Sequence, residues 1–262
     1  MLNKLDEQTG VPKNVHSQLK NAKPEKATQL LEELNKKLGT GSPDEILQWG
    51  FDCFGKKMVI GTGFGLSGMV ILDRIQKLNL SVTVFYLDTK QLYPETYQLK
   101  EKIRERFHVT IEAVHPELSL NEQAEKYGAE LWENDPDKCC YLRKVSPLEN
   151  FLADKKAWVT GVRRSQADTR KQTEIIEWDP ENHVVKINPL ADWSEDEVWS
   201  YIEKQNLPYN PLHDRGYPTI GCVPCTEPAD TGNDRRSGRW KNLDKTECGI
   251  HIPSQKFNNG RG

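Results

Sequence analysis

The sequence has no apolar run that approaches the roughly 18 residues of a membrane-spanning helix. Its first residues, MLNKLDEQTGVPKNVHS, also lack the hydrophobic region of a secretory signal peptide, so we expect a cytoplasmic protein without membrane contacts. Basic residues are not in excess, because 36 lysines and arginines face 39 aspartates and glutamates and give a net charge of −3. That balance argues against a general binder of nucleic acids or membrane surfaces.

Internal repeats, low-complexity segments and a clear linker between domains are missing as well. A chain of 262 residues, 36% of them hydrophobic, is long enough to bury a sizeable core in one large or two small domains. We expect a single domain over residues 25–255, with a mobile part at about 228–255, a flexible arm at residues 1–24 and a disordered tail at 256–262.

Short apolar strands alternate with amphipathic helices through most of the chain. The predicted strands cover residues 57–61, 81–87, 109–114, 157–160 and 184–188, and the predicted helices cover 26–38, 43–54, 69–78, 94–107 and 194–204. Alternation at these lengths indicates an α/β fold in which a parallel sheet carries helices on both faces. The chain beyond the last helix is predicted to be rich in loops.

Three polar stretches follow predicted strands, where open parallel sheets bind their ligands. Residues 62–68, the glycine loop, would let backbone N–H groups approach an anion, although a tight turn without a ligand is the alternative. Asp88-Thr89 could hydrogen-bond a ribose or a base, or simply cap a turn. Residues 161–170, the arginine loop, carry three arginines whose forks match phosphate or sulfate oxygens, although such runs are often solvated turns.

The six cysteines are the most specific feature of the sequence. In the cytoplasm, clustered cysteines are more often metal ligands or redox catalysts than structural disulfides. Cys222 and Cys225 form a Cys-x-x-Cys pair, and Cys139 and Cys140 are adjacent. Four thiolates could bind zinc or ligate an iron–sulfur cluster. Adjacent cysteines are awkward for a compact zinc site and favour a cluster, whose irons lie apart; unligated thiols or redox disulfides are the alternative.

Two cysteines remain. Cys53 lies on the apolar side of a predicted helix and is expected to be a buried core thiol. Cys248 stands in a polar stretch, next to Gly249, where a core thiol would be unexpected. His251 and the three upstream arginines 235, 236 and 239 could lower the pKa of Cys248, which makes it a candidate nucleophile. The alternative is a fortuitous surface cysteine.

Together these motifs resemble those of the assimilatory sulfonucleotide reductases, in particular the iron–sulfur adenylylsulfate (APS) reductases. The resemblance extends from about residue 46 to residue 251. The motifs that carry it are Cys139-Cys140-Tyr-Leu-Arg-Lys144, the arginine loop, Tyr209-Asn-Pro-Leu-His-Asp-Arg-Gly-Tyr-Pro218, Gly221-Cys-x-x-Cys225 and Glu247-Cys-Gly-Ile-His251.

The resemblance implies a Rossmann-like sheet of the adenine-nucleotide hydrolase-like, PP-loop type. It implies a [4Fe–4S] cluster held by Cys139, Cys140, Cys222 and Cys225, with Lys144 linking the charge of the cluster to the substrate. Cys248 would attack the sulfate sulfur of APS and expel AMP, and thioredoxin would release sulfite from the thiosulfonate, in sulfate assimilation and cysteine biosynthesis. The implied substrate residues are Thr62, Gly63, Phe64, Gly65, Ser67, Asp88, Thr89, Lys144, Arg163, Arg164, Arg170, Arg236, Arg239 and His251. We also expect a homo-oligomer.

The glycine loop departs from two related patterns. It lacks the Ser-Gly-Gly-x-Asp-Ser pattern of ATP-splitting relatives, so ATP hydrolysis is not expected. It also differs from the serine-rich start and acidic pair of many APS reductases, which leaves 3′-phosphoadenylylsulfate (PAPS) reduction or dual specificity as alternatives. A PP-loop RNA sulfur transferase and a non-enzymatic zinc-binding module are the remaining alternatives; the former should show the ATP loop and a basic surface.

Overall fold

A computed structural model of the chain describes residues 14–229, 234–241, 243 and 245–251, and three helices precede its first strand. They are α1 (Val15–Asn21), α2 (Pro24–Leu38) and α3 (Pro43–Phe54). At the start of α3, the Ser42 hydroxyl accepts a hydrogen bond from the Glu45 N–H, and the Glu45 carboxylate accepts one from the Ser42 N–H at 2.6 Å. This capping box confirms the helix start predicted at residue 43.

Helix α1 corrects the prediction of a flexible arm at residues 1–24 for the part that the structure describes, from residue 14 on. Val15 and Leu19 are 0% and 2% exposed and belong to the main hydrophobic core. The two side chains are four residues apart and therefore share one face of the helix. A single apolar pair is too short a pattern to stand out in the sequence, which is why the helix was missed. Residues 1–13 and the predicted tail at 256–262 lie outside the described residues.

A six-stranded sheet forms the centre of the structure, in the order β3-β2-β1-β4-β6-β5. Its strands are β1 (Met58–Gly61), β2 (Thr83–Leu87), β3 (Ile111–Val114), β4 (Ala157–Val159), β5 (Ile176–Asp179) and β6 (Val184–Ile187). All pairs are parallel except β5 with β6. The predicted α/β fold with a Rossmann-like sheet is confirmed, and each of the predicted strands is present within one or two residues.

Strand β5 was not predicted. Its sequence is Ile-Glu-Trp-Asp, and only Ile176 is buried, because the strand lies at the edge of the sheet. The two charged residues interrupt the apolar pattern by which the other strands were predicted. The Asn35 side chain of α2 covers this edge: its amide donates to the Ile176 carbonyl at 2.9 Å and its oxygen accepts from the Ile176 N–H at 2.9 Å. The His16 ring of α1 contacts Trp178 edge to face, at 5.8 Å between ring centroids.

Three predicted helices, α4 (Leu66–Lys77), α5 (Pro94–Phe107) and α10 (Glu195–Lys204), lie where the sequence placed them. Four short helices between β3 and β4 were missed: α6 (Leu120–Tyr127), α7 (Leu131–Asn134), α8 (Pro136–Cys140) and α9 (Ser146–Leu152). Gly128 and Pro136 interrupt their apolar periodicity. A π-helical turn, Tyr141–Val145, joins α8 to α9, so Cys139 and Cys140 lie directly before a conformation that is frequent at functional sites.

The strand order creates a switch point between β1 and β4. The chain moves from β1 to β2 and β3 on one side and then returns to β4 on the other, so a crevice opens between the carboxyl ends of these two strands. The glycine loop follows β1 and the arginine loop follows β4. The described part of the loop-rich chain after α10 also reaches this edge. Within the described residues, no helix has the length and apolar character that a membrane crossing needs.

Candidate active site

A cavity of about 310 Å³ lies at the carboxyl ends of the strands. Its wall comes from the glycine loop, the arginine loop and the C-terminal segment, which is the described chain from residue 234 to residue 251. Most residues predicted to bind substrate line this cavity, namely Thr62, Gly63, Phe64, Gly65, Ser67, Thr89, Lys144, Arg163, Arg170, Arg236, Arg239 and His251, and so does Cys248. Asp88 and Arg164 do not.

The glycine loop presents the start of α4 to the cavity. Gly65 is the N-cap residue and offers no side-chain oxygen to the first-turn N–H groups, which therefore remain available to an anion. Thr62 accepts a hydrogen bond from the Phe64 N–H at 2.9 Å, and this bond fixes the turn. Gly68 lies so close that a Cβ there would be 2.5 Å from the Thr62 hydroxyl. The loop is therefore both tightly packed and open toward an anion.

Arg163 joins the arginine loop to two helices. The side chain is buried, and its Nε donates to the Ser67 hydroxyl of α4 at 3.0 Å. Its guanidinium also pairs with Glu195 in the first turn of α10. The second oxygen of Glu195 accepts from Arg235 of the C-terminal segment at 2.7 Å. One carboxylate thus connects an arginine of the loop with an arginine of the C-terminal segment.

Glu247 makes a second connection of the same kind. Its carboxylate accepts two hydrogen bonds from Arg170, both at 2.9 Å, one from Arg236 at 3.1 Å and one from the Thr169 hydroxyl at 3.1 Å. Burial acts to raise the pKa of Glu247, but the hydrogen bonds and charge of Arg170, with the charge of Arg236, lower it overall. Glu247 is therefore an ionised carboxylate directly beside Cys248.

Two predicted substrate residues have partners elsewhere. Arg164 pairs with Asp192, donates to the Thr173 carbonyl at 2.6 Å and contacts Glu174 at 3.2 Å. Asp88 is buried and accepts hydrogen bonds from Lys90 and Tyr97 at 2.8 and 2.7 Å. Burial opposes ionisation of Asp88, but these two donors lower its pKa overall. The structure brings neither side chain to the cavity wall.

Cys248 is half-buried in the cavity wall, and its thiolate is favoured. Burial alone would raise its pKa, but Lys144 and Arg239 lower it below the ordinary value. Burial also opposes charge on Lys144, whose pKa is nevertheless raised by Cys222, Cys248 and Cys140. Lys144 thus interacts electrostatically with both the candidate nucleophile and two of the predicted cluster ligands.

Arg239 packs directly on the backbone of Gly221. A Cβ on Gly221 would lie 2.5 Å from Nη2 and 2.7 Å from Cζ of Arg239, so only glycine leaves room for the guanidinium. The same guanidinium lies over the Trp240 ring at 4.4 Å, and its Nε donates to the Cys225 carbonyl at 3.2 Å. These contacts hold one of the two cations that favour the Cys248 thiolate.

His251 stacks on Trp158 of β4, with 5.5 Å between ring centroids and an interplanar angle of 15°. Burial lowers the pKa of His251 well below its ordinary value, and Lys186, Arg170 and Arg236 lower it further, so the imidazole is neutral. His251 Nδ1 and Trp158 Nε1 are buried and have no hydrogen-bond partner among the described residues. Both rings line the cavity. Trp158 carried no signal in the sequence beyond its place in a strand.

The four predicted cluster ligands are free thiols; Cys139, Cys140 and Cys222 are buried and Cys225 is half-buried. Burial raises the pKa of Cys139 to about 11, helped by Cys222 and Cys225, and it raises the pKa of Cys140 to about 12. Cys222 Sγ lies 3.3 Å from the Thr89 hydroxyl. In the described chain, no three His, Cys, Asp or Glu side chains are grouped as a metal site. Cys53 is half-buried rather than fully buried.

Residues 57–228 of the chain match the family profile described as the phosphoadenosine phosphosulfate reductase domain. The adenosine 5′-phosphosulfate reductase of Salinibacter ruber (strain DSM 13855 / M31) is 51% identical over 231 residues, which cover 88% of this chain and 91% of the relative. Adenosine 5′-phosphosulfate reductase 2 of Bacillus subtilis (strain 168) is 46% identical over 208 residues, which cover 79% of this chain and 88% of the relative.

Solved structures agree in fold. A phosphoadenylyl-sulfate (PAPS) reductase from Candida auris, crystallised as a phosphate complex, is 35% identical and superimposes with a TM-score of 0.69 over 76% of this chain and 97% of that chain. An FMN adenylyltransferase from Candida glabrata in complex with FAD and pyrophosphate has a TM-score of 0.54 at 15% identity, over 90% of this chain and 84% of that chain. The second likeness concerns the fold alone.

Proposed function

The chain belongs to the phosphoadenosine phosphosulfate reductase family, and from this premise we propose that it reduces APS to sulfite and AMP. The observation that carries the proposal is Cys248 in the cavity wall, with Lys144 and Arg239 favouring its thiolate. The names of relatives that are 46% and 51% identical support APS as the substrate.

In the first step, the Cys248 thiolate attacks the sulfate sulfur of APS. A sulfur–sulfur bond forms, the bond between that sulfur and the bridging oxygen breaks, and AMP leaves with the electron pair. The negative sulfate oxygens repel a thiolate, so cations must offset the charge as it moves to the leaving phosphate. Lys144 and Arg239 are suited to this role because both act electrostatically on Cys248. The neutral His251 would orient the sulfate oxygens without adding charge.

In the second step, a dithiol protein of the thioredoxin type regenerates the enzyme. One of its thiolates attacks Cys248 Sγ, and sulfite leaves with the electron pair of the sulfur–sulfur bond. The second thiol then attacks the mixed disulfide, which releases the Cys248 thiolate and leaves the reductant as a disulfide. The reductant supplies two electrons in all. A position on the C-terminal segment suits Cys248 for this exchange, because the adduct must be reached by another protein.

We propose further that Cys139, Cys140, Cys222 and Cys225 hold a [4Fe–4S] cluster. All four are free thiols, three of them buried, which suits such a group, and binding would release the protons that the raised pKa values of Cys139, Cys140 and Cys225 retain. Two of the four cysteines are adjacent in the sequence, which is awkward for a single tetrahedral ion but suits a cluster, whose irons lie apart. When bound, the cluster would supply fixed charge and structural support, since both displacements are two-electron steps that need no one-electron carrier.

The expected setting is the cytoplasm, where thiols stay reduced, in sulfate assimilation and cysteine biosynthesis. A homo-oligomer stays a prediction, which light scattering of the purified protein checks.

Steady-state sulfite release tests the proposal, with APS and PAPS assayed in parallel on cluster-replete enzyme with thioredoxin. We expect sulfite from APS, and loss of turnover in Cys248→Ser with the visible absorption of the cluster unchanged. Cys53→Ser is the matched control, because this thiol lies on α3, away from the cavity, and it should retain the wild-type rate. Equal rates with PAPS would assign dual specificity, and an active Cys248→Ser enzyme would overturn the nucleophile.

A further inference from the structure

The Glu247 carboxylate accepts four hydrogen bonds, and the proposed function gives this residue no role. Its buried carboxylate receives both nitrogens of the Arg170 fork, a nitrogen of Arg236 and the Thr169 hydroxyl. Arg170 and Thr169 belong to the arginine loop, which follows β4, whereas Glu247 and Arg236 belong to the C-terminal segment. The carboxylate is therefore one point at which the segment that carries Cys248 is joined to the arginine loop, and the one next to Cys248 in the chain.

From this geometry we propose that Glu247 is a positioning residue for Cys248, which it holds in the cavity wall through its ion pairs with Arg170 and Arg236. The inference rests on the proposed function, in which Cys248 is the nucleophile. The bidentate Arg170 pair fixes direction as well as distance, because two parallel N–H···O bonds resist rotation. The neighbouring peptide then leaves Cys248 little freedom to turn away from the cavity.

The same pairs separate four cations of the cavity into two sets, apart from Arg163 and Arg235, which pair with Glu195. Arg170 and Arg236 share the one negative charge of Glu247, whereas Lys144 and Arg239 are the cations that lower the pKa of Cys248. Glu247 consequently leaves the second set to act on the thiolate and on the sulfate of the substrate. The reasoning predicts that Glu247 governs how often Cys248 is in place, and that it contributes little to the affinity for the nucleotide.

Glu247→Gln tests this role, because the amide keeps the size of the side chain but loses the charge that holds two arginines. We expect kcat for sulfite release to fall about 100-fold, the cost of misplacing a reacting group by about 1 Å, while KM for APS stays within about threefold. The second readout is alkylation of Cys248 by iodoacetamide, followed on the Cys248 peptide by mass spectrometry. We expect faster alkylation, since the thiol is no longer held against the wall.

Two further variants keep the test sharp. Thr169→Val removes one hydrogen bond and leaves the ion pairs intact, so it should shift both readouts in the same directions by a smaller factor. Glu174→Gln removes an exposed carboxylate that pairs with Arg164 outside the cavity, and it should leave both readouts unchanged.

The proposal would be overturned if Glu247→Gln had the kcat and the alkylation rate of the wild type. A rise in KM with unchanged kcat would also overturn it and would assign the ion pairs to substrate affinity. If the wild-type enzyme itself releases no sulfite, the proposed function fails, but the comparison of alkylation rates still decides whether Glu247 positions Cys248.

Discussion

Replacing Gly221 with alanine should displace the Arg239 guanidinium without changing residue 239 itself. The new Cβ would lie 2.5 Å from Nη2 and 2.7 Å from Cζ of Arg239, whereas carbon and nitrogen atoms in contact are about 3.5 Å apart. The guanidinium must therefore move by about 1 Å, which disturbs its hydrogen bond to the Cys225 carbonyl, now 3.2 Å long. A displacement of this size at a catalytic group costs up to about 100-fold in rate, or roughly 2.7 kcal/mol.

We expect kcat/KM for APS to fall about 10- to 100-fold in Gly221→Ala. The pKa of Cys248 should rise toward its ordinary value, because one of the two cations that lower it has moved. The assay is sulfite release together with the pH dependence of Cys248 alkylation, in a cycle with Arg239→Met. In the Arg239→Met background the alanine has no guanidinium to displace, so the double variant should lose no more than Arg239→Met alone. Additive losses would refute the reasoning.

Three more outcomes are expected. Arg164→Met should leave kcat and KM for APS unchanged and cost at most about 1 kcal/mol of stability, because its ion pairs are partly exposed and lie outside the cavity; a raised KM would return Arg164 to the substrate site. Alkylation of Cys248 should reach half its maximal rate at a pH below about 8.5, the usual pKa of a cysteine. Lys144→Met should move this midpoint upward, because the lowered pKa of Cys248 rises when the cation that lowers it is removed. An unchanged midpoint would exclude Lys144 as the cause. Leu34→Ala should lower the free energy of unfolding in urea by about 2–5 kcal/mol, because this side chain of α2 is buried in the main core; a loss below about 1 kcal/mol would contradict that packing.

The parts of the fold with long, regular patterns were predictable from the sequence. Strands β1, β2 and β4 are continuous apolar runs, as expected for strands covered on both faces, and the resemblance to the sulfonucleotide reductases is confirmed by the family match over residues 57–228. Helices α7, α8 and α9 were not predictable, because with four to seven residues none is long enough to show a hydrophobic period.

The residue types of the candidate site were predictable from the sequence, but the ion pairs between its arginines and carboxylates were not. The sequence shows an excess of arginines after β4 and before Cys248, but it cannot say which of them meet carboxylates. Glu195 and Arg163 are 32 residues apart, and Glu247 and Arg170 are 77 residues apart. Such contacts follow from the tertiary fold and have no local pattern. The predicted roles of the four cluster cysteines and of the individual substrate residues stay predictions until the experiments above are done.

The covered edge of the sheet has a consequence for assembly. An open edge strand offers unpaired N–H and C=O groups to a second chain, and proteins that leave such an edge bare tend to associate through it. Here the amide of Asn35 takes the place of a neighbouring strand at Ile176, and His16 lies against Trp178 of the same strand. Strand addition along β5 is therefore opposed at Ile176, where the backbone groups that a second chain would need are already paired.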